Sequence, residues 1–258
     1  MQVQQSQGTR ALTPIFAAVS FRPHHDLRMT SLMNTEFLFI LPVLLISVVA
    51  HEYAHGYAAL RQGDQTALLA GRLTFNPVKH IDPWMSVLLP AILWFGSAGS
   101  FIFGGAKPVP VDPRNYRNYR RGDIIVSSAG IVTNLGLFVV CLLLCIALGV
   151  IGNALPMTRD GLAVLQRMSF WGIWLNSLLA FFNLIPIPPL DGSHILYHFL
   201  PPAIRAKYRD LSRYGLLILL ALLLFFRGSL FYLLLPAILL TSVARDLVDP
   251  FALQPLPF

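Results

Sequence analysis

The stretch FLFILPVLLISVVAHEYAHGY, residues 37–57, joins an apolar run to the pattern HExxH, and it decides how the rest of the chain is interpreted. The apolar part predicts a membrane helix, because it holds no charged residue before Glu52. Residues four apart share one helix face, so His51 and His55 can direct ring nitrogens at one ion while Glu52 lies beside them. The spacing predicts a zinc site with two imidazole ligands, an open position for water and a glutamate as catalytic base.

The composition of the 258-residue chain is that of an integral membrane protein. Hydrophobic residues make up 55% of it, charged residues only 12%, and the mean hydropathy is +0.64. We predict an all-α polytopic membrane protein whose apolar runs lie at residues 36–60, 84–103, 124–151 and 169–186, with a broken run at 211–245.

The net charge of +7 is carried mainly by short loops between the apolar runs. Basic residues in such loops attract lipid headgroups, so we expect the lipid bilayer as a partner and no nucleic acid. The two cysteines, Cys141 and Cys145, lie four apart within one apolar run. We interpret them as packing residues of one helix face.

The chain divides by composition into three parts. Residues 1–34 are predicted to be a disordered tail or a segment upstream of the true start, with a weak targeting segment as the alternative. Residues 35–200 form the predicted catalytic core. Residues 201–258 are predicted to form a C-terminal helical hairpin and tail.

A third metal ligand must come from elsewhere in the chain. The only other glutamate, Glu36, lies on the same helix but roughly 22 Å from His51, at 1.5 Å per residue. The ligand is therefore an aspartate or a histidine. Asp191 is the best candidate, and His194 and His80 remain the competing ligands, whereas Asp64 and Asp82 are predicted to be turn or cap residues.

The segment around Asp191, FFNLIPIPPLDG, shows why this acid is favoured. Its prolines end an apolar helix near residue 185. Broken backbone at membrane depth is tolerated where it is buried in protein or lines a wet cavity, and an acid there indicates a functional site.

Three motifs occur in a fixed order: HEYAHG at 51–56, AGIVTN at 129–134 and NLIPIPPLDG at 183–192. With them the chain resembles the site-2 protease family, peptidase family M50, of intramembrane zinc metalloproteases. The segments AGRLTFNPVKHIDP and GGAKPVPVDPRNYR are similar to the short form of that family, without PDZ or CBS domains. Ile131 stands where the family commonly has proline.

The resemblance implies a site-2-protease-like core of transmembrane helices, one Zn²⁺ per chain, and transmembrane proteins as substrates. Residue by residue, it implies zinc ligands at His51, His55 and Asp191, catalysis by Glu52, and substrate positioning by Asn183 and Asn134.

One metal ion bound by residues of both segments limits how many times the chain can cross the membrane between them. If every apolar run crossed the membrane, the helices carrying His51 and Asp191 would end on opposite faces, where one metal ion cannot join them. The run at 84–103 is interrupted by proline and glycine, so we predict that it is a re-entrant hairpin. The ligand-bearing ends then share a face with most of the 19 Lys and Arg residues, which predicts an active site near the cytoplasmic side of a bacterial inner membrane.

The predicted function is hydrolysis of peptide bonds in or near transmembrane helices. The extended segment FGGAKPVPV, residues 103–111, is interpreted either as an edge that pairs with the unwound substrate or as a connector. A divalent-metal or proton transporter and a non-cleaving scaffold that binds helices are the rival functions. The oligomeric state, the substrate and the side of the C-terminus stay open.

Overall fold

The computed structural model of the chain describes residues 27–97, 102, 104–225 and 227–257. In chain order, its helices are α1 (Leu27–Gln62), α2 (Thr66–Leu69), α3 (Leu89–Gly96), α4 (Tyr119–Ala154), α5 (Arg159–Asn183), α6 (Asp191–Tyr197), α7 (Pro202–Leu211), α8 (Gly215–Phe225) and α9 (Arg227–Val248). A π-helical stretch, Pro83–Leu88, leads directly into α3. The described residues contain no β-strand, which confirms the all-α prediction.

Within the part of the chain that the structure describes, three segments are long and apolar enough to cross a membrane: Thr35–Gln62, Tyr119–Ala154 and Phe231–Phe251. The run predicted at 169–186 belongs to α5, which packs against α1, α4 and α9. A helix with neighbours on three sides shows little surface to lipid, so it tolerates more polar residues than a lipid-facing helix.

Helices α1 and α5 run in the same direction, and α4 runs opposite to both. Near the start of each parallel helix, Glu36 of α1 contacts Arg167 of α5, and further along Ser47 contacts Asn176. Against α4, the order reverses: His51 meets Asn134, and His55 meets Val126. We call the end where α1 and α5 finish and α4 begins the histidine end.

The segment between α2 and α4 enters the bundle and returns to its starting level. The Gly105 N–H donates to the Met85 carbonyl at 2.9 Å, and the Ser86 hydroxyl donates to the Gly105 carbonyl at 2.7 Å. Deeper in, Trp94 and Ile102 are buried in a cluster with residues of α1 and α5. The structure thus confirms the predicted re-entrant hairpin from the residues that it describes on either side; residues 98–101 and 103 lie outside them.

The C-terminal part ends far from the histidines. Ser177 of α5 donates to the Ala237 carbonyl of α9, and Gln166 donates to the Phe251 carbonyl, so α9 runs antiparallel to α5. Residues 249–257 therefore lie at the opposite end of the bundle, which we call the tail end. Residue 226, between α8 and α9, lies outside the described residues.

The start of the chain falls mostly outside the described residues as well. The tail predicted for residues 1–34 is not described before residue 27. Helix α1 begins at Leu27, within the segment predicted as tail.

Candidate metal centre

Three acceptor atoms from two distant parts of the chain converge at the histidine end. His51 and His55 lie one turn apart on α1, and their Nε2 atoms are 3.0 Å apart. The Oδ2 atom of Asp191, the first residue of α6, lies 3.3 Å from the Nε2 of His51 and 3.2 Å from that of His55. Among the described residues, these three form the one group of His, Cys, Asp or Glu side chains close enough to share a metal ion.

The other nitrogen of each ring fixes its tautomer. His55 Nδ1 lies 2.7 Å from the Val126 carbonyl, which can only accept, so this Nδ1 carries the proton. His51 Nδ1 lies 2.6 Å from Oδ1 of Asn134 and donates to it in the same way. In its neutral form each ring therefore presents an unprotonated Nε2 towards Asp191, which is the tautomer that metal-binding histidines adopt.

A chain of buried amides holds Asn134 in that orientation. Its Nδ2 donates to Oδ1 of Asn176 at 2.8 Å. The Nδ2 of Asn176 donates in turn to the Ser47 hydroxyl and the Gly172 carbonyl, each at 2.9 Å. Because Asn176 must donate through its nitrogen, its oxygen faces Asn134, which leaves the oxygen of Asn134 for His51.

The three convergent atoms fit a zinc ion. Each bears a lone pair, and Oδ2 of Asp191 is buried with no hydrogen-bond partner, so a positive charge is required between them. A proton on one ring would satisfy one pair only, whereas a metal ion satisfies all three atoms. Tetrahedral ligands at zinc-to-nitrogen distances lie ~3.3 Å from one another, close to the separations observed.

Gly130 makes room for the first ligand. It lies on α4 one turn before Asn134, and a Cβ at this position would come within 2.6 Å of both ring nitrogens of His51. No side chain can occupy that space while His51 keeps its place. The motif AGIVTN thus combines the gap for the ring with the acceptor for its proton.

The loop between α5 and α6 sets the third ligand. Helix α5 ends at Asn183, and the proline-rich segment carries the chain to Asp191 in a few residues. Gly192 packs against the carbonyls of Leu184 and Ile185, and a Cβ would lie 2.8 Å from the oxygen of Ile185. Only a glycine lets the start of α6 approach the end of α5 this closely.

Glu52 faces an apolar cavity beside the two histidines. Its Oε2 accepts a 2.7 Å hydrogen bond from the backbone N–H of Val109, in the extended segment 104–112. The Val109 side chain packs over Gly56, where a Cβ would lie 2.9 Å from it. The cavity measures about 320 Å³ and is lined by His51, Glu52, Asn183 and mostly aliphatic residues of α1, α5 and the hairpin.

The two competing ligands lie elsewhere. His80 is fully buried, with its Nε2 2.8 Å from the Thr74 carbonyl. His194 lies one turn after Asp191, with its Nδ1 3.6 Å from Asp123. Neither belongs to the convergent group, and Asp191 takes the third place.

The two predicted positioning residues have different surroundings. Asn183 lines the cavity and donates to the Leu179 carbonyl of its own helix. Asn134 is fully buried between His51 and Asn176, and it does not line the cavity. The geometry favours a role for Asn134 in orienting His51 over the substrate-positioning role that the sequence predicts.

The turn residues agree with their predictions. Asp82 caps the π-helical stretch by accepting from the N–H groups of Trp84 and Met85. Asp64 accepts from Thr66, Asp112 and Asn115, and so joins the end of α1 to the segment before α4.

Asn176 and Gly130 are the site residues that sequence reasoning did not single out. Asn176 could have been found from the sequence, because it is a polar amide inside the apolar run 169–186, and a polar residue in such a run indicates a function. Gly130 lies within the motif AGIVTN, whose interpretation rested on Ile131 and Asn134.

An HExxH helix, a third acidic ligand from a distant loop and apolar spans together define a zinc metallopeptidase of membranes. The family description "Peptidase family M50" matches residues 39–226, most of the chain. The chain belongs to this family.

Curated relatives agree with the assignment. "Putative zinc metalloprotease YwhC" of Bacillus subtilis is 38% identical over 192 residues, which cover 74% of this chain and 82% of the relative. "Putative zinc metalloprotease Rip2" of Mycolicibacterium smegmatis is 31% identical over 188 residues, covering 73% of this chain and 67% of the relative. No solved structure matches the chain.

Proposed function

We propose that this zinc metallopeptidase is an intramembrane endopeptidase that hydrolyses peptide bonds in or near the transmembrane helices of membrane-protein substrates. The observation that carries the proposal is the group of three convergent ligand atoms beside Glu52, two of them on a helix long enough to span a membrane. A hydrolytic site on a membrane-spanning helix meets substrates that are themselves embedded in the membrane.

One zinc ion per chain would be held by Nε2 of His51, Nε2 of His55 and Oδ2 of Asp191. When bound, it polarises the scissile carbonyl and lowers the pKa of water, which makes water a nucleophile near neutral pH.

Glu52 is the proposed general base. It takes a proton from the attacking water and then passes it to the leaving amine. The Val109 N–H restrains one carboxylate oxygen and leaves the other to handle the proton. Apolar walls around the cavity exclude competing water and strengthen these polar interactions.

Substrates must unwind before they can react, because a helix hides its carbonyls in its own hydrogen bonds. We therefore propose a preference for spans weakened by Gly, Pro or Asn. The extended segment supports pairing only in part: the N–H groups of Gly105, Lys107 and Val109 already donate inside the protein. Pro108 and Pro110 have no N–H, and the carbonyls of Gly105 and Lys107 already accept from Ser86 and Arg72, so pairing with a substrate would use the other carbonyls of this segment.

We place the enzyme in a bacterial inner membrane with its active site towards the cytoplasm. Basic residues lie around the histidine end, in the segments before α4 and in α7. Positive loops favour the cytoplasmic side.

The test compares the parent chain with Glu52→Gln, purified in detergent with zinc. The substrate is a transmembrane peptide with a Gly-Pro pair in its span, and the matched control peptide has leucines at those positions. We expect cleavage within the weakened span, slower by about 10²-fold to 10⁴-fold in Glu52→Gln, with zinc content unchanged. A zinc-loaded parent that cleaves neither peptide, or a Glu52→Gln chain as active as the parent, would contradict the proposal.

A further inference from the structure

A second polar cluster joins α4 to α6 behind the metal centre. Asp123 lies in the first turns of α4 and is 4% exposed, and its Oδ2 is 2.7 Å from Nε2 of His198. His198 caps the C-terminal end of α6 and is 3% exposed. His194 approaches the other carboxylate oxygen at 3.6 Å, but its side chain is half exposed.

The bond between Asp123 and His198 acts on a very short helix. Helix α6 has seven residues, starts at the ligand Asp191 and ends next to His198. Its start is packed against the end of α5 through Gly192, and its other end is tied to α4 through His198. Two turns of helix held at both ends cannot rotate about their axis, so the tie at His198 fixes the direction of the Asp191 side chain.

One face of helix α4 therefore orients all three proposed ligands: it bonds the rings of His51 and His55 directly, and it holds the helix that carries Asp191. The Val126 carbonyl holds the ring of His55, and Asn134 holds the ring of His51. Asp123 lies one turn before Val126, on the same side of the helix. A rigid helix that supports all three ligands keeps their spacing constant.

We propose that Asp123 is a positioning residue of the metal centre: through His198 it fixes the helix that carries Asp191. The inference rests on the proposed zinc site, and it adds to that site a contact from outside the ligand set. Groups hydrogen-bonded directly to a metal ligand typically change metal affinity 10-fold to 100-fold when they are removed, and Asp123, which acts through one intervening helix, is expected to lie at the lower end of that range.

A cross-link that only stabilises the fold makes a different prediction. Its loss would lower the yield of folded protein and the unfolding temperature, while the folded fraction kept its zinc affinity. Loss of a positioning contact weakens zinc binding in folded protein and lowers kcat, while KM for the substrate stays unchanged.

The experiment measures zinc affinity by competition with a chelator for the full-length parent, Asp123→Ala, Asp123→Asn and His198→Phe in detergent. His198→Phe keeps an aromatic ring between Tyr119 and Tyr197 but removes the bond, so it reports on positioning even if Asp123→Ala folds poorly. Asp123→Asn keeps an oxygen that accepts from His198. His194→Ala is the matched control, because it removes the exposed neighbour of the same carboxylate.

We expect zinc affinity about 10-fold weaker in Asp123→Ala and His198→Phe, most of the affinity restored in Asp123→Asn, and parent affinity in His194→Ala. Folded His198→Phe with parent zinc affinity would overturn the inference, and so would a loss in His194→Ala equal to that in Asp123→Ala. The proposed function fails separately, if the parent binds zinc and responds to these variants but cleaves no transmembrane substrate.

Discussion

The two ends of the bundle both bury polar groups among apolar helices, but they pair them differently. At the tail end, both carboxylate oxygens of Glu36 are used: Nε of Arg167 donates to one at 2.6 Å, and the indole N–H of Trp171 donates to the other at 2.6 Å. The amide of Gln166 is equally complete, since it donates to Cys145 and Phe251 and accepts from Leu253.

At the histidine end, by contrast, the hydrogen bonds of the buried polar groups leave three acceptor atoms facing one another. His51, His55 and Asp191 present lone pairs to a common point, and Asn134 and the Val126 carbonyl orient the two rings. Full pairing indicates a structural role, whereas convergent unpaired acceptors indicate a place for a cation.

The sharpest test of this difference is Gly130→Ala. The new methyl group would displace the ring of His51, so we expect zinc affinity to fall by about 100-fold and cleavage to fall with it. Gly136→Ala on the same helix is the control, because a Cβ there meets nothing within 4 Å. Chelator competition on both variants measures the effect, and parent affinity in Gly130→Ala would show that the ring is not where we place it.

Removal of the acceptor for His51 should have the next largest effect. Asn134→Ala leaves the ring without its partner and frees Asn176, so we expect zinc affinity to fall about 10-fold or more. Asn153→Ala, at an exposed position of the same helix, should bind zinc like the parent. Equal affinities in the two variants would mean that the buried amide chain does not orient the ligand.

The tail end should respond in stability and not in metal binding. Glu36→Gln weakens the charged bonds to Arg167 and Trp171, and we expect it to lower the free energy of unfolding by about 2 kcal/mol. Thermal unfolding in detergent measures that loss, and chelator competition on the folded protein should give the parent zinc affinity. A weakened zinc site in this variant would remove the distinction between the two ends.

Asp64 is a paired carboxylate near the histidine end, and it should give the smallest effect. Burial would raise the pKa of Asp64, but hydrogen bonds from Thr66, Asn115 and Asp112 hold that pKa below its usual value. Its contribution to stability is therefore present above pH ~4 and is lost as the pH falls through the lower pKa of the folded state.

Asp64→Asn tests this sign. We expect the parent to exceed the variant by about 1 kcal/mol in unfolding free energy above pH ~4, with the gap closing at lower pH. Unfolding at a series of pH values measures it. A gap that widens as the pH falls would contradict the depressed pKa.

The sequence was informative where chemistry follows from local spacing. HExxH on an apolar helix predicts two ligands and a base because helix geometry alone brings them together, and helix-breaking prolines predict that Asp191 lies at a functional turn. The shared requirement of one metal ion for both segments predicted the re-entrant hairpin, which the bond between Gly105 and Met85 confirms.

The supporting contacts could not be predicted in the same way. Asn176, Asp123 and His198 act through partners far away in the chain, and those partners are set by how α1, α4 and α5 pack. A polar residue in an apolar run signals a role, but only packing tells which side chain it orients. The role of Gly130 could not be predicted because it depends on the absence of a side chain, which leaves space for the ring of His51.

The central claim is that two imidazoles and one carboxylate hold a single zinc ion at the histidine end. Zinc X-ray absorption of the loaded parent chain tests it most directly, because the spectrum reports the atoms bound to the metal. We predict one zinc per chain, two imidazole nitrogens and oxygen ligands at about 2.0–2.2 Å, with the parent spectrum lost in Asp191→Ala. A sulfur ligand near ~2.3 Å, a single imidazole, or a spectrum unchanged by Asp191→Ala would contradict the account.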